Sequence, residues 1–423
     1  MIDNFNTKSK EKALLIGVIH SALDEKIVKD HLDELRLLAI TAGAEVVGNI
    51  TQKLSRINPS FFIGTGKAEQ IINQAKELGV SLIIFDDELS PAQVKNFSNL
   101  AKDVKVIDRS ALILDIFRQH AQTKEAQTQV ELAQLEYMLP RLSKAWSHLE
   151  RQMGGIGTRA GAGETQIEVD RRLIRTRIAK LKHDLIKIEK ERETQSKRRR
   201  NEFKVALVGY TNAGKSTLMN AISGANVFVE DKLFATLDTT IRSVELNTAH
   251  KILLSDTVGF VRKLPHHLVA TFKSTLKEVV DADLILLVID ASSTQVVDHY
   301  NTIIEVLKEL GAERHQTVVV MNKIDRENAS KQLNFLKRKF PAGIYLSALN
   351  NLRINKLTQK IVDVMDKNFQ TIDLLFSYKE AKEMALAQKG VDVLERKYED
   401  DCVRLKVKAS RWRINQIQAE LNK

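Results

Sequence analysis

The chain has 423 residues, enough for roughly two to four domains that each bury a core, and its 43% hydrophobic and 28% charged residues describe a globular protein. Cys402 is the only cysteine, which excludes an internal disulfide and any cysteine-rich metal site. No apolar run approaches the roughly 18–20 residues of a membrane helix. The first residues also lack a basic and then apolar leader, so a cytoplasmic chain is expected. The net charge of +11 is unevenly placed: residues 141–200 hold 17 Lys and Arg against 8 Asp and Glu. Such a local excess of one sign points to a polyanion such as nucleic acid, with a solvated helix surface as the plainer alternative.

Taken in order, residues 13–19, 45–50, 81–85 and 104–107 are apolar runs that predict strands, and 24–42 and 68–78 predict helices between them. This alternation argues for a small α/β domain over residues 1–122 with a largely parallel sheet. Within it, Phe62-Ile63-Gly64-Thr65-Gly66-Lys67 lacks the full spacing of a phosphate loop and reads as the turn that starts a helix.

Over residues 123–200 the period changes. Leu132, Leu135, Leu139, Leu142, Trp146 and Leu149 recur at intervals of 3, 4, 3, 4 and 3, and Ile174, Ile178, Leu181, Leu185 and Ile188 repeat the scheme. Both are narrow apolar stripes at coiled-coil spacing, best explained by packing of one helix on another. Pro140 cannot donate to the carbonyl of Glu136, which predicts a kink. Between the stripes, five glycines in the ten residues from Gly154 to Gly163 do not hold a helix and predict the tip of a helical hairpin. Arg151, Arg159, Arg171 and Arg172 crowd that tip, which favours contact with RNA phosphates. Lys197-Arg198-Arg199-Arg200 marks the junction with the next domain.

Residues 201–370 carry strand candidates at 204–208, 243–246, 252–255, 283–289, 317–321 and 343–346. Helical stretches separate most of them, giving a doubly wound sheet with ligand loops at the strand ends. The tail, 371–423, reads as strand 373–376, helix 379–388 and strands 391–395 and 403–407, a small α/β appendage.

The first strand of the third domain runs into Gly209-Tyr210-Thr211-Asn212-Ala213-Gly214-Lys215-Ser216, and Thr217, Leu218 and Met219 continue as a helix. This is the strand–G-x-x-x-x-G-K-S–helix arrangement of a phosphate-binding loop. Glycines let the backbone wind round a phosphate with its N–H groups inward, and the helix start adds positive dipole. Lys215 can reach the β- and γ-phosphates, and the Ser216 hydroxyl can ligate Mg²⁺.

Four further signals follow in order: Phe234-Ala235-Thr236-Leu237-Asp238, Asp256-Thr257-Val258-Gly259, Asn322-Lys323-Ile324-Asp325 and Ser347-Ala348-Leu349. The Asp325 carboxylate can accept from guanine's N1–H and 2-amino group together, which adenine cannot offer, so the nucleotide expected is GTP. Asn322 is expected to brace the base-binding loops, Lys323 to lay its stem along the base, and N–H groups near Ala348 to meet the guanine O6. Thr236 is the candidate second protein ligand to Mg²⁺, with Thr239 and Thr240 as alternatives; Asp256 holds the metal through water, and the Gly259 N–H contacts the γ-phosphate. Lys215, Thr236 and Gly259 are thus the residues expected at the reacting phosphate. His266 and His267 read as ordinary surface histidines. Phe260 stands where Ras-like GTPases carry a water-orienting Gln, which predicts slow intrinsic turnover. Asn212 holds the loop position at which some GTPases carry Asn to bind K⁺, making K⁺ a candidate second cofactor.

With these motifs placed, nearly the whole chain resembles the HflX family of ribosome-associated GTPases, in the Obg–HflX branch. Glu164-Thr165-Gln166-Ile167-Glu168 with Asp170-Arg171-Arg172 is similar to the family's N-terminal signature, and Phe260 extends the Asp256 motif in the family's manner. The family commonly reads R-G-P-G-E at the tip, where this chain has Arg159-Ala160-Gly161-Ala162-Gly163-Glu164, without the proline and one residue longer. The resemblance favours Thr236 as the metal ligand. It implies binding of the 50S ribosomal subunit, with the hairpin directed at its rRNA, and a role in separating or rescuing ribosomes. The alternative is an RNA-binding assembly factor of the large subunit, gated by GTP. A monomer is expected. Some members are linked to an ATP-directed activity of the N-terminal domain, which Gly64 to Lys67 do not by themselves establish here.

Overall fold

A computed structural model describes residues 10–20, 24–142, 166–197, 202–224, 233–234, 238–247, 250–263, 277–367, 369–399 and 401–421. Its Cα positions separate into two compact units. One takes in residues 1–190 with the short segments 232–237 and 263–272; the other takes in 191–231, 238–262 and 273–423.

In the first unit, β1 (Lys12–Ile19), β2 (Glu45–Lys53), β3 (Leu82–Phe85) and β4 (Lys105–Asp108) form a sheet in the order β2-β1-β3-β4, parallel throughout. Six consecutive residues of β1, Ala13 to Val18, are buried, as a strand covered on both faces requires. The helices start where side chains can satisfy their first N–H groups. Asp24 caps α1 (Glu25–Thr41), and Ser90 and Gln93 form a reciprocal capping box across Pro91 at the start of α3 (Pro91–Leu100). Gly64 is the N-cap of α2 (Thr65–Glu77), so the 62–67 segment is the start of a helix, as its spacing predicts.

Asp108 caps α4 (Arg109–His120) and also accepts from the Leu89 N–H and the Tyr137 hydroxyl. Burial raises its carboxyl above the usual range against those hydrogen bonds. Nearby, Asp86 pairs with Arg109 at 2.8 Å. Burial opposes its charge, but the His31 hydrogen bond and the Arg109 charge outweigh that and hold its carboxyl well below the usual range.

The apolar stripes come together as expected. Leu132 and Leu135 of α5 (Lys124–Met138), together with Leu142, share a core with Ile174 and Leu181 of the long α6 (Gln166–Lys197). Arg177 adds a bidentate pair with Glu131 at 2.6 and 2.8 Å. At Pro140 the expected kink is a stop. The α-helix ends at Met138, residues Leu139–Arg141 form one 3₁₀ turn, and Leu142 is extended. The Gly-rich tip, with Trp146, Leu149, Arg151 and Arg159, lies outside the described residues.

The second unit holds a six-stranded sheet in the order β10-β9-β8-β5-β7-β6. Its strands are β5 (Phe203–Gly209), β6 (Thr240–Glu245), β7 (Lys251–Asp256), β8 (Leu284–Asp290), β9 (Gln316–Asn322) and β10 (Ile344–Tyr345). All neighbours are parallel except β6 and β7. Three helices pack near it: α7 (Lys215–Ser223), α9 (Val296–Glu309) and α11 (Ile354–Asp366), with a short α8 (Lys277–Val280) and α10 (Glu327–Lys339) between. Ala213, Leu218, Leu286, Leu357 and Ile361 are among the residues of one continuous core.

The tail is an antiparallel sheet of β11 (Phe369–Ser377), β13 (Cys402–Ser410) and β12 (Asp392–Tyr398), with β13 in the middle. Its inner face is covered by α12 (Ala381–Ala387) and by α13 (Arg411–Leu421), a helix that the apolar pattern of the tail does not predict. No described helix is long and apolar enough to cross a membrane.

Candidate functional site at the carboxyl ends of the central strands

The site forms where β5 leaves the sheet. Val205 to Val208 are fully buried between β7 and β8, so the chain emerges from a fixed base. Gly209 is required there: a Cβ would stand 2.3 Å from the Val288 carbonyl oxygen of the neighbouring strand. The loop closes at Gly214, whose φ of +88° suits glycine and whose Cβ would meet Asn322 Nδ2 at 2.4 Å. Lys215 then opens α7, so the first N–H groups of that helix face the loop interior.

Lys215 is the electrostatic centre of this loop. Its Nζ donates to the Gly209 and Tyr210 carbonyls at 3.1 Å each. Burial pushes its ammonium down to about 8, with the Asp256 charge pulling the other way. Ser216 Oγ donates to Asp256 Oδ2 at 2.6 Å, bringing a hydroxyl and a carboxylate together at the helix start. These hard oxygen donors suit Mg²⁺. The Thr211 hydroxyl is buried with no hydrogen-bond partner among the described residues, a group that an anion's oxygens would satisfy.

The strand β7 leads into a segment that presses on the same loop. Thr257 is buried with its hydroxyl on the Leu207 carbonyl at 2.7 Å, and Val258 is buried beside it. Gly259 lies so close that a Cβ would stand 2.8 Å from Thr211 Cα and 2.9 Å from Lys215 Nζ. Phe260 is buried and pairs with the end of β5.

Asn322 joins two loops. Its Nδ2 donates to the Ala213 carbonyl at 2.9 Å, and its Oδ1 accepts from the Ala348 N–H at 3.0 Å. The Ala348 N–H is therefore engaged within the protein. Ser347 is buried and Leu349 projects outward. Lys323 Nζ contacts the Asn212 carbonyl at 2.6 Å and Asp290 at 2.9 Å. Ile324 N–H donates to the Leu346 carbonyl, and Asp325 is exposed at the rim. Phe234 is buried and Asp238 is described, whereas Ala235, Thr236 and Leu237 lie outside the described residues, as do His266 and His267. Sequence reasoning missed Gln295 and His299 of the α9 start, which touch Arg262 and Tyr210.

The arrangement can grip a run of phosphates by backbone N–H groups, place one ammonium among them and hold a divalent metal alongside. Comparison with known proteins agrees over the chain's length. Residues 29–118 match a family model described as GTP-binding GTPase N-terminal, 120–199 one described as GTP-binding GTPase Middle Region, and 204–323 one described as 50S ribosome-binding GTPase. A GTPase HflX of Flavobacterium psychrophilum is 53% identical over 315 residues, covering 74% of this chain and 76% of the relative. That of Caldanaerobacter subterraneus subsp. tengcongensis is 44% identical over 409 residues, covering 95% and 92%. The Escherichia coli K12 protein of the same name is 43% identical over 366 residues, covering 86% and 84%. A phosphate loop on the central strand, with its partner motifs at the adjoining strand ends, thus meets relatives that match about three quarters or more of the chain's length, and the chain belongs to the HflX family of GTPases.

Proposed function

We propose that this GTP-hydrolysing protein is a nucleotide-driven switch that binds the 50S ribosomal subunit and separates or rescues ribosomes. The observation that carries the reading is the match of residues 204–323 to a 50S ribosome-binding GTPase model. The basic hairpin helix supports it: among residues 166–197, Arg171, Arg172 and Arg175 occupy little more than one turn. Within the site, Lys215 exchanges its two carbonyl partners for the β- and γ-phosphates. Ser216 and Thr236 would hold Mg²⁺, with Asp256 supporting it from beside Ser216; when bound, the metal would neutralise phosphate charge. Gly259 offers its N–H to the γ-phosphate, and Asp325 reads guanine's N1–H and 2-amino group. Phe260 is enclosed in the core and cannot orient an attacking water, so free protein turns over slowly and a ribosome or cation completes the site. Asn212, at the outer edge of the loop, is the candidate ligand to K⁺.

The test is sedimentation of intact 70S ribosomes with purified protein and either GTP or GDP. The switch reading expects 50S and 30S peaks with GTP and intact 70S with GDP. Undivided 70S at saturating GTP, with binding to immature 50S particles retained, would instead support the assembly-factor reading. Turnover in K⁺ and in Na⁺ at equal ionic strength, for wild type and Asn212→Ala, tests the cation: equal rates would dispose of it.

A further inference from the structure

Tyr210 is the second residue of the phosphate loop, yet its side chain points at a different segment. Its hydroxyl oxygen accepts the Arg262 N–H at 2.6 Å. Two residues earlier, the Phe260 N–H donates to the Gly209 carbonyl at 3.1 Å, and the Thr211 N–H donates to the Phe260 carbonyl at 2.8 Å. The segment after Gly259 is therefore stitched to residues 209–211 at three points. Two are backbone pairs, and one depends on a single phenol.

That phenol is itself held. The Tyr210 ring stacks on the His299 imidazole, with centroids 4.0 Å apart and planes 15° from parallel. Gln295, the N-cap of α9, accepts from Arg262 Nη2 at 2.6 Å, and His299 lies one turn further along. The start of α9 thus grips both partners of the Tyr210–Arg262 hydrogen bond. Gly259, three residues before Arg262, lies against Thr211 and Lys215 with no room for a Cβ.

We propose that Tyr210 is a positioning residue for the GTP state: its hydroxyl fixes residues 259–262 so that the Gly259 N–H stands at the γ-phosphate, and through it the site tells GTP from GDP. The inference rests on the reading of Gly259 as the γ-phosphate contact. A tyrosine serving only as core filler would be replaced by phenylalanine without effect, because the ring and its stack on His299 are preserved. A tyrosine that places Gly259 loses discrimination, because GDP has no γ-phosphate for that N–H to meet.

The experiment uses full-length Tyr210→Phe with Mg²⁺, measuring affinity for labelled GDP and for a labelled non-hydrolysable GTP analogue, together with single-turnover hydrolysis. The analogue's affinity should fall about three- to tenfold, the range of one neutral hydrogen bond, while GDP affinity changes by less than about twofold, on the same principle. The hydrolysis rate should fall in the same direction as analogue affinity. His299→Ala, which keeps the hydroxyl and removes its backing, should shift the GTP-to-GDP ratio the same way by a smaller factor. Wild-type values for both nucleotides in Tyr210→Phe, or equal losses for both, would overturn the proposal. Lys215→Ala separates this from the underlying reading. If that variant binds both nucleotides as wild type does, the phosphate-loop assignment itself fails. If it loses both while Tyr210→Phe keeps its discrimination, only the role of Tyr210 is lost.

Discussion

Lys215 shows how one residue's burial becomes a measurable linkage. Its folded value, about 8 through burial, lies below the roughly 10.4 of an unfolded lysine. Between those two values the unfolded chain holds a proton that the folded chain has shed. Stability therefore rises with pH through that window, and the burial cost is fully present below it. Phosphate oxygens favour the ammonium and reverse the shift. Nucleotide binding at about pH 9 should then take up a proton, seen as calorimetric enthalpies that differ between buffers of different ionisation heat; identical enthalpies would contradict this. Gly209→Ala should destabilise the protein by about 1–3 kcal/mol through overpacking against Val288, read as a lowered urea midpoint at unchanged slope. Lys215, Ser216, Asp256 and Asn322 were legible because fixed spacing after a strand determines where such side chains stand. The Tyr210–Arg262 hydrogen bond and the His299 stack were not. Their partners come from separate segments with no periodic signature, and only the packed sheet brings them together.

At the scale of elements, the hairpin stripe and the tail teach opposite lessons. The apolar residues of α5 and α6 recur at the period of a helix seam, so their shared face could be read directly, although the first stripe runs on past the end of α5 at Met138. Leu181→Ala, removing a buried member, should cost about 2–5 kcal/mol. Leu173→Ala, half exposed on the same helix, should stay within about 0.5 kcal/mol. Chemical denaturation of both variants checks the contrast; equal effects would mean that the stripe is not a core. Pro140 marks a break in the helix, but whether a proline bends or ends a helix depends on the residues after it. Here Arg141 turns in to the Tyr137 and Leu89 carbonyls at 3.0 and 2.8 Å and takes the chain out of the helix. Helix α13 escaped notice because Ile414 and Ile417 are a sparse stripe, made meaningful by the face of β13 that they cover.

For the whole molecule, the charge excess of residues 141–200 gives a prediction at ribosome scale. Arg171→Ala with Arg172→Ala should weaken ribosome binding and flatten its salt dependence by about one unit of slope for each phosphate no longer neutralised. Nucleotide affinity without ribosomes is the control, and binding unaltered across several salt concentrations would remove this helix from the interface. The sheet order has a consequence in time as well. β5 pairs on one side with β8, Val205 against Leu284, although some eighty residues of chain separate them. At about 5–20 residues per second of synthesis, this strand, whose residues Val205 to Val208 end fully buried, waits roughly 4–16 seconds for its neighbour to be made. During that interval β5 has an open edge on the side that β8 will cover. Nascent chains stalled before β8 should be cut by protease within the phosphate-loop strand, and chains stalled after β9 should resist. The strand that organises nucleotide binding in the finished protein is, while the protein is being made, an edge still without its neighbour.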